Sequence, residues 1–114
     1  MAIHHAQPGE VIDVRPLGAA LATASTQTLV KTETIEVIRL VLPASKVVPP
    51  HKVRGETTVQ CLEGKVAFQV GGNEHELTAG MLIFLAGADE HALRAIEASS
   101  LLVTIQLIPK AAKA

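Results

Sequence analysis

The sequence predicts an all-β domain of the sandwich or barrel type, and three observations carry that reading. Apolar residues recur with a period of two: Val66, Phe68 and Val70 alternate with Lys65, Ala67 and Gln69, and Leu101, Val103, Ile105 and Leu107 alternate with Ser100, Leu102, Thr104 and Gln106. Successive side chains of a strand leave opposite faces, so each run turns one face to a core. β-branched residues are frequent in these runs, as a pleated, half-buried surface favours. Turn signals recur at close spacing, at Pro49-Pro50, Glu63-Gly64, Gly71-Gly72-Asn73, Ala79-Gly80 and Gly87-Ala88-Asp89. Many short strands cut by such turns make a sandwich or a barrel.

Taken in order, residues 1–8 read as a loose tail and the segment around Glu10–Arg15 as a first strand. The alanines of Gly18–Ser25 would support one helical turn, but flanking strands assign the segment to strand or loop. Thr34–Leu42 is more continuously apolar, as expected of a strand covered on both sides. Gly71-Gly72 joins two alternating runs and reads as a tight hairpin. A hydrophobic strand follows Gly80, and residues 99–107 form the last strand before a frayed end at 109–114.

Composition narrows the function. The 114 residues, 48% of them apolar, suit a single domain, 1–114, with one real core, and they argue against disorder. No apolar run reaches the ~18 residues of a membrane helix, so no membrane partner is expected. The opening M-A-I-H-H-A-Q-P-G-E lacks a basic stretch followed by an apolar one, so a cytoplasmic protein without a signal peptide is expected. The net charge is −1 and the cations are scattered, which argues against a nucleic-acid partner. Phe68 and Phe84 are the only aromatic residues of the Phe, Tyr and Trp class, which excludes a stacking platform or an aromatic cage. The single cysteine, Cys61, reads as a small buried apolar residue in a reducing compartment.

One stretch carries more. Residues 49–64, P-P-H-K-V-R-G-E-T-T-V-Q-C-L-E-G, are answered 16 residues after Gly64 by G-M-L-I-F-L-A-G-A-D-E-H. Across about residues 36–107 the chain resembles the two signature motifs of the cupin superfamily. That resemblance implies a jelly-roll β-barrel, a double-stranded β-helix whose motifs face each other and supply three histidines and one glutamate to a metal. His51 matches the first histidine, while Val53 stands in place of the second. Thr57 occupies the glutamate position, with Glu56 one residue before it. Leu62-Glu63-Gly64 matches the turn closing the first motif, and Gly80 opens the second. Ala86 and Ala88 replace the proline and glycine of its turn, and His91 matches the last histidine.

Two readings of the site follow. In the first, His51 and His91 hold a divalent metal, with Zn, Fe, Mn, Ni or Cu all compatible with imidazole. Stable sites have three or four protein ligands, so a third must be found. Glu56 is a candidate, but strand parity turns it outward unless a β-bulge at Gly55 reverses the phase. Gln60 shares its parity, and Cys61 lies roughly 13 Å along the strand from Thr57. In the second reading the cavity holds no metal. Val53, Val59, Cys61, Phe68, Phe84 and Leu93 then line or fill it, while His51, Thr57, Gln60 and His91 supply the polar groups. Two neutral imidazoles suit an organic acid or an enol, and either can act as a general base. The function expected is binding of a small polar molecule, with or without a weakly held metal. The alternatives are a metal-dependent dioxygenase or an isomerase or epimerase, and a structural module with a vestigial cavity. Whether the protein is an enzyme is left open. His4, His5 and His75 are expected on the surface. The resemblance also implies a homodimer, in which the Glu10–Arg15 strand exchanges with or adds to a partner sheet.

Overall fold

A computed structural model describes residues 4–109. Among them nine strands form two antiparallel sheets. The strands are β1 (Gln27–Lys31), β2 (Ile35–Leu42), β3 (Val47–His51), β4 (Thr57–Glu63), β5 (Lys65–Val70), β6 (Asn73–Thr78), β7 (Leu82–Leu85), β8 (His91–Ala95) and β9 (Ser99–Gln106). One sheet has the order β1-β2-β9-β4-β7 and the other β3-β8-β5-β6. Facing each other, they make the expected jelly roll.

The period-two pattern is what fills the space between the sheets. Along β4, Thr57, Val59 and Cys61 are buried and the residues between them only half-buried. Leu101, Val59 and Cys61 of the larger sheet meet Val66, Phe68 and Leu93 of the smaller one in a single core. Complete burial of each such side chain is worth about 1.5–3 kcal/mol. Between β5 and β6, Gly71 and Gly72 have φ of 56° and 87°. Positive φ at both positions is what a two-residue hairpin needs, and side chains resist it.

Three segments differ from the sequence expectation. Gly18–Thr23 is a short 3-10 helix, not a strand or loop. Its entry is held by Glu63, whose carboxylate accepts from the N–H groups of Leu17 and Gly18. That partner lies 45 and 46 residues away, so no local pattern announces it. Glu10–Arg15 is not a strand and joins no ladder. It is pinned instead by Arg39 of β2, whose buried guanidinium donates to the carbonyls of Val14 and Arg15. Residues 4–8 are less loose than expected, because Ala6 N–H donates to the Leu29 carbonyl of β1 at 2.8 Å. Residues 1–3 and 110–114 of the two expected tails lie outside the described residues.

Candidate functional site

A cavity of about 200 Å³ opens at one end of the barrel. Its walls come from alternate residues of six strands, which explains their shared direction. Ile38 and Leu40 come from β2, Thr57 and Val59 from β4, Val103 and Ile105 from β9. Val48 and His51 of β3, Phe68 of β5, and His91 and Leu93 of β8 complete the opposite side, with Val53 at the loop between β3 and β4. Ala88 N–H donates to the Val53 carbonyl at 2.7 Å and ties that loop to the turn before β8.

The two histidines meet because of an irregularity in β3. Val48 pairs with Leu93 in regular antiparallel register, but the next partnership is His51 with His91, so one extra residue lies in β3. That residue falls in Pro49-Pro50, where the missing N–H groups suit an edge strand and a bulge. The bulge reverses the side-chain phase and turns His51, rather than Pro50, toward the cavity. No bulge at Gly55 turns Glu56 inward. Gly55 lies in no strand, and its backbone packs so closely on the Gln106 carbonyl that a Cβ would overlap it.

The imidazole rings of His51 and His91 have centroids 4.2 Å apart and planes inclined at 62°. His91 also stacks on Phe68, 5.7 Å between centroids and 11° from parallel. His51 Nδ1 lies 3.0 Å from the Pro49 carbonyl oxygen and His91 Nδ1 3.0 Å from that of Asp89. A carbonyl only accepts, so both Nδ1 atoms carry a proton, and a ring with a single proton keeps its lone pair on Nε2. Burial lowers the His91 pKa below the ordinary imidazole value. The hydrogen bond and charge of Asp89 oppose this, and His51 adds to it. Thr57, only 3% exposed, lines the same cavity with a hydroxyl that no protein group hydrogen-bonds.

Other expected site residues lie elsewhere. Gln60 sits opposite Leu82 and Leu102 on the outer face of the larger sheet, because strand parity separates it from Thr57 and Val59. Glu56 is exposed beside Ile35, Phe84 and Gln106 in a shallow outer groove, clear of both histidines. Phe84 is 61% exposed on the same outer face. Cys61 is buried in the core below the cavity, and burial raises its thiol pKa. Five lining residues were not singled out as such: Ile38, Leu40, Val48, Val103 and Ile105. The alternation of 99–107 marks the inward side of β9, but no linear pattern says that β2 and β3 border the same void.

The cupin domain family matches residues 38–105, more than half of the chain. The chain is a cupin. Solved structures agree on the fold. A conserved protein of unknown function from Streptococcus pyogenes is 21% identical, with a TM-score of 0.73 over 97% of this chain and 98% of that one. A cupin superfamily protein from Desulfitobacterium hafniense is 14% identical, with a TM-score of 0.75 over 90% of this chain and 100% of the other. An RmlC-like cupin from Methanocaldococcus jannaschii, described as a double-stranded β-helix, is 17% identical, with a TM-score of 0.70 over 87% and 94%. At these identities the likeness is one of fold. A search of curated proteins found no match.

As a cupin, the chain departs from its family at the metal position. Among the described residues, no group of three or more His, Cys, Asp or Glu side chains comes together. The cavity offers two imidazoles and a threonine hydroxyl, with valine at the second histidine position. Threonine is a poor ligand for a divalent transition metal, and two ligands fall short of the three or four that hold one. The donor set does not fit a resident metal.

Proposed function

We propose that this cupin binds a small organic molecule in the cavity between its sheets and that binding does not depend on a metal. The observation that carries this is convergence. His51, His91 and Thr57, whose buried hydroxyl has no partner, line one otherwise apolar void. A buried polar group without a partner costs about 1–3 kcal/mol, and a ligand that pairs with it recovers that cost. Apolar walls with a few convergent polar groups are the usual make-up of a ligand site. The open lumen argues against a vestigial cavity, and a metal-dependent oxygenase would need donors that the cavity lacks.

A second reading is proton-transfer isomerisation. His91 favours it, since its lowered pKa keeps the ring neutral near pH 7, so that its Nε2 can take a proton from one substrate atom and return the same proton to a neighbouring one. Exchange of substrate protons with deuterated solvent would separate turnover from binding alone.

The metal-independent reading is tested by elemental analysis of a His4→Ala, His5→Ala variant after incubation with Zn, Fe, Mn, Ni or Cu. Removing the two terminal histidines eliminates adventitious chelation. Far less than one equivalent is expected. One equivalent, lost when His51 and His91 are also replaced by alanine, would overturn the reading.

A further inference from the structure

We infer that the cavity's ligand is a small neutral molecule with an apolar body and a hydroxyl head, a phenol or enol rather than a carboxylic acid. The inference rests on the cavity-binding reading above and adds the ligand's chemical class.

Hydrogen-bond complementarity decides the head group. Both histidines spend their Nδ1 proton on a backbone carbonyl, so a ring with a single proton offers the cavity a lone pair. The third polar side chain, Thr57, has a hydroxyl that both donates and accepts. A ligand hydroxyl can donate to an imidazole Nε2, and its oxygen can accept from Thr57 once a χ1 rotation brings that enclosed hydroxyl to the cavity wall. A carboxylate brings acceptors only, and they would face the lone pairs of both rings. No lysine or arginine lines the cavity to hold such an anion, and no aspartate or glutamate lines it to hold an ammonium group. A charged head of either sign would therefore leave water without a counter-charge.

Size and walls decide the body. At about 200 Å³ the cavity falls below the ~300–1,000 Å³ of drug-sized pockets, so one ring or a short branched chain fills it. Val53, Val59, Leu93 and Val103 present branched aliphatic surface, which favours an apolar body.

Three probes of one shape separate the terms: toluene, p-cresol and p-toluate, which carry no head, a neutral hydroxyl and a carboxylate. Each is titrated at pH 8 into the full chain with ¹³C-labelled valine and leucine methyls. The expected result is shifts at Val53, Val59, Leu93 and Val103, with p-cresol binding about tenfold tighter than toluene and p-toluate weakest. Thr57→Val should reduce p-cresol affinity several-fold relative to toluene affinity. If p-toluate binds as tightly as p-cresol, the ligand class is wrong while the cavity reading stands. If toluene and p-cresol bind equally, the polar side chains select nothing and the class is again wrong. If none of the probes shifts the lining methyls, the cavity reading itself fails.

Discussion

Val53 and Thr57 are the residues at which this chain leaves the metal-binding pattern of its family, and both line the cavity that His51 and His91 share. Side chains at these two positions thus border the same void as the two imidazoles. The double variant Val53→His, Thr57→Glu is expected to take up about one equivalent of zinc or nickel, read by elemental analysis, because three imidazoles and a carboxylate meet the usual ligand count. Failure to bind metal in a folded variant would mean that the cavity geometry, not residue identity alone, has moved away from the metal. His91 has a second consequence, in stability. Burial disfavours its imidazolium, so its folded pKa lies below the ordinary imidazole value of 6.5. Between those two values the unfolded chain binds more protons than the folded one, and stability rises with pH. The contribution is complete above about pH 6.5 and is lost as pH falls through the folded value. Urea denaturation between pH 5 and 8 should show this slope, and His91→Gln should flatten it.

Among the elements, the connection from Glu63 to the 3-10 helix is the clearest long-range dependence. Both carboxylate oxygens lie 3.0 Å from Leu17 N, Oε1 lies 3.1 Å from Gly18 N, and Ser100 Oγ donates to Oε2. Burial pushes the Glu63 pKa up, but the hydrogen bonds from Leu17, Ser100 and Gly18 and the charge of Arg39 outweigh it and leave the carboxyl below its ordinary value. The glutamate that reads as part of a turn motif is thus a clamp between two elements. Glu63→Ala is expected to cost about 2 kcal/mol, since charge-assisted bonds are lost and backbone donors are left unpaired. Hydrogen exchange at Leu17 and Gly18 should quicken more than exchange in β5 or β8. Equal protection in the variant would remove the clamp role. The turn before β8 shows a related substitution of means. Ala88 stands where the family motif has glycine, yet keeps a positive φ of 67°. The Val53 carbonyl that accepts from its N–H helps to hold this strained conformation.

Across the whole molecule, the two sheets differ in what their outer faces show. On the larger sheet Leu82 and Phe84 are 59% and 61% exposed beside the uncharged Thr58, Gln60, Leu102 and Thr104. This exposed apolar patch, with Glu56 as the charged residue at its edge, suits a second copy of the same chain. A homodimer, expected from the sequence, is predicted to use this face rather than a Glu10–Arg15 strand, which does not form here. Light scattering should give twice the 12.0 kDa chain mass, and Phe84→Glu should shift the protein toward the single-chain mass. A single-chain mass at all concentrations for the unaltered protein would rule the dimer out. Among the described residues, no helix is long and apolar enough to cross a membrane.

The sequence by itself determined the strands of its alternating and apolar runs, at 35–42, 65–70 and 99–106, the hairpin at Gly71-Gly72, the family, and the choice of His51 and His91 as a candidate site. These depend on signals that are local or fixed in spacing: alternation, turn residues and motif register. Only the tertiary structure decided which side chains share the cavity. The Pro49-Pro50 bulge sets the phase of His51, and the parity of β4 keeps Thr57 and Val59 inside while sending Gln60 to the outer face. Gly18–Thr23 became a 3-10 helix, and Val14-Arg15 was pinned, through Glu63 and Arg39 on strands far along the chain. Contacts of that kind leave no trace in neighbouring residues, because their energy comes from groups that only the fold brings together.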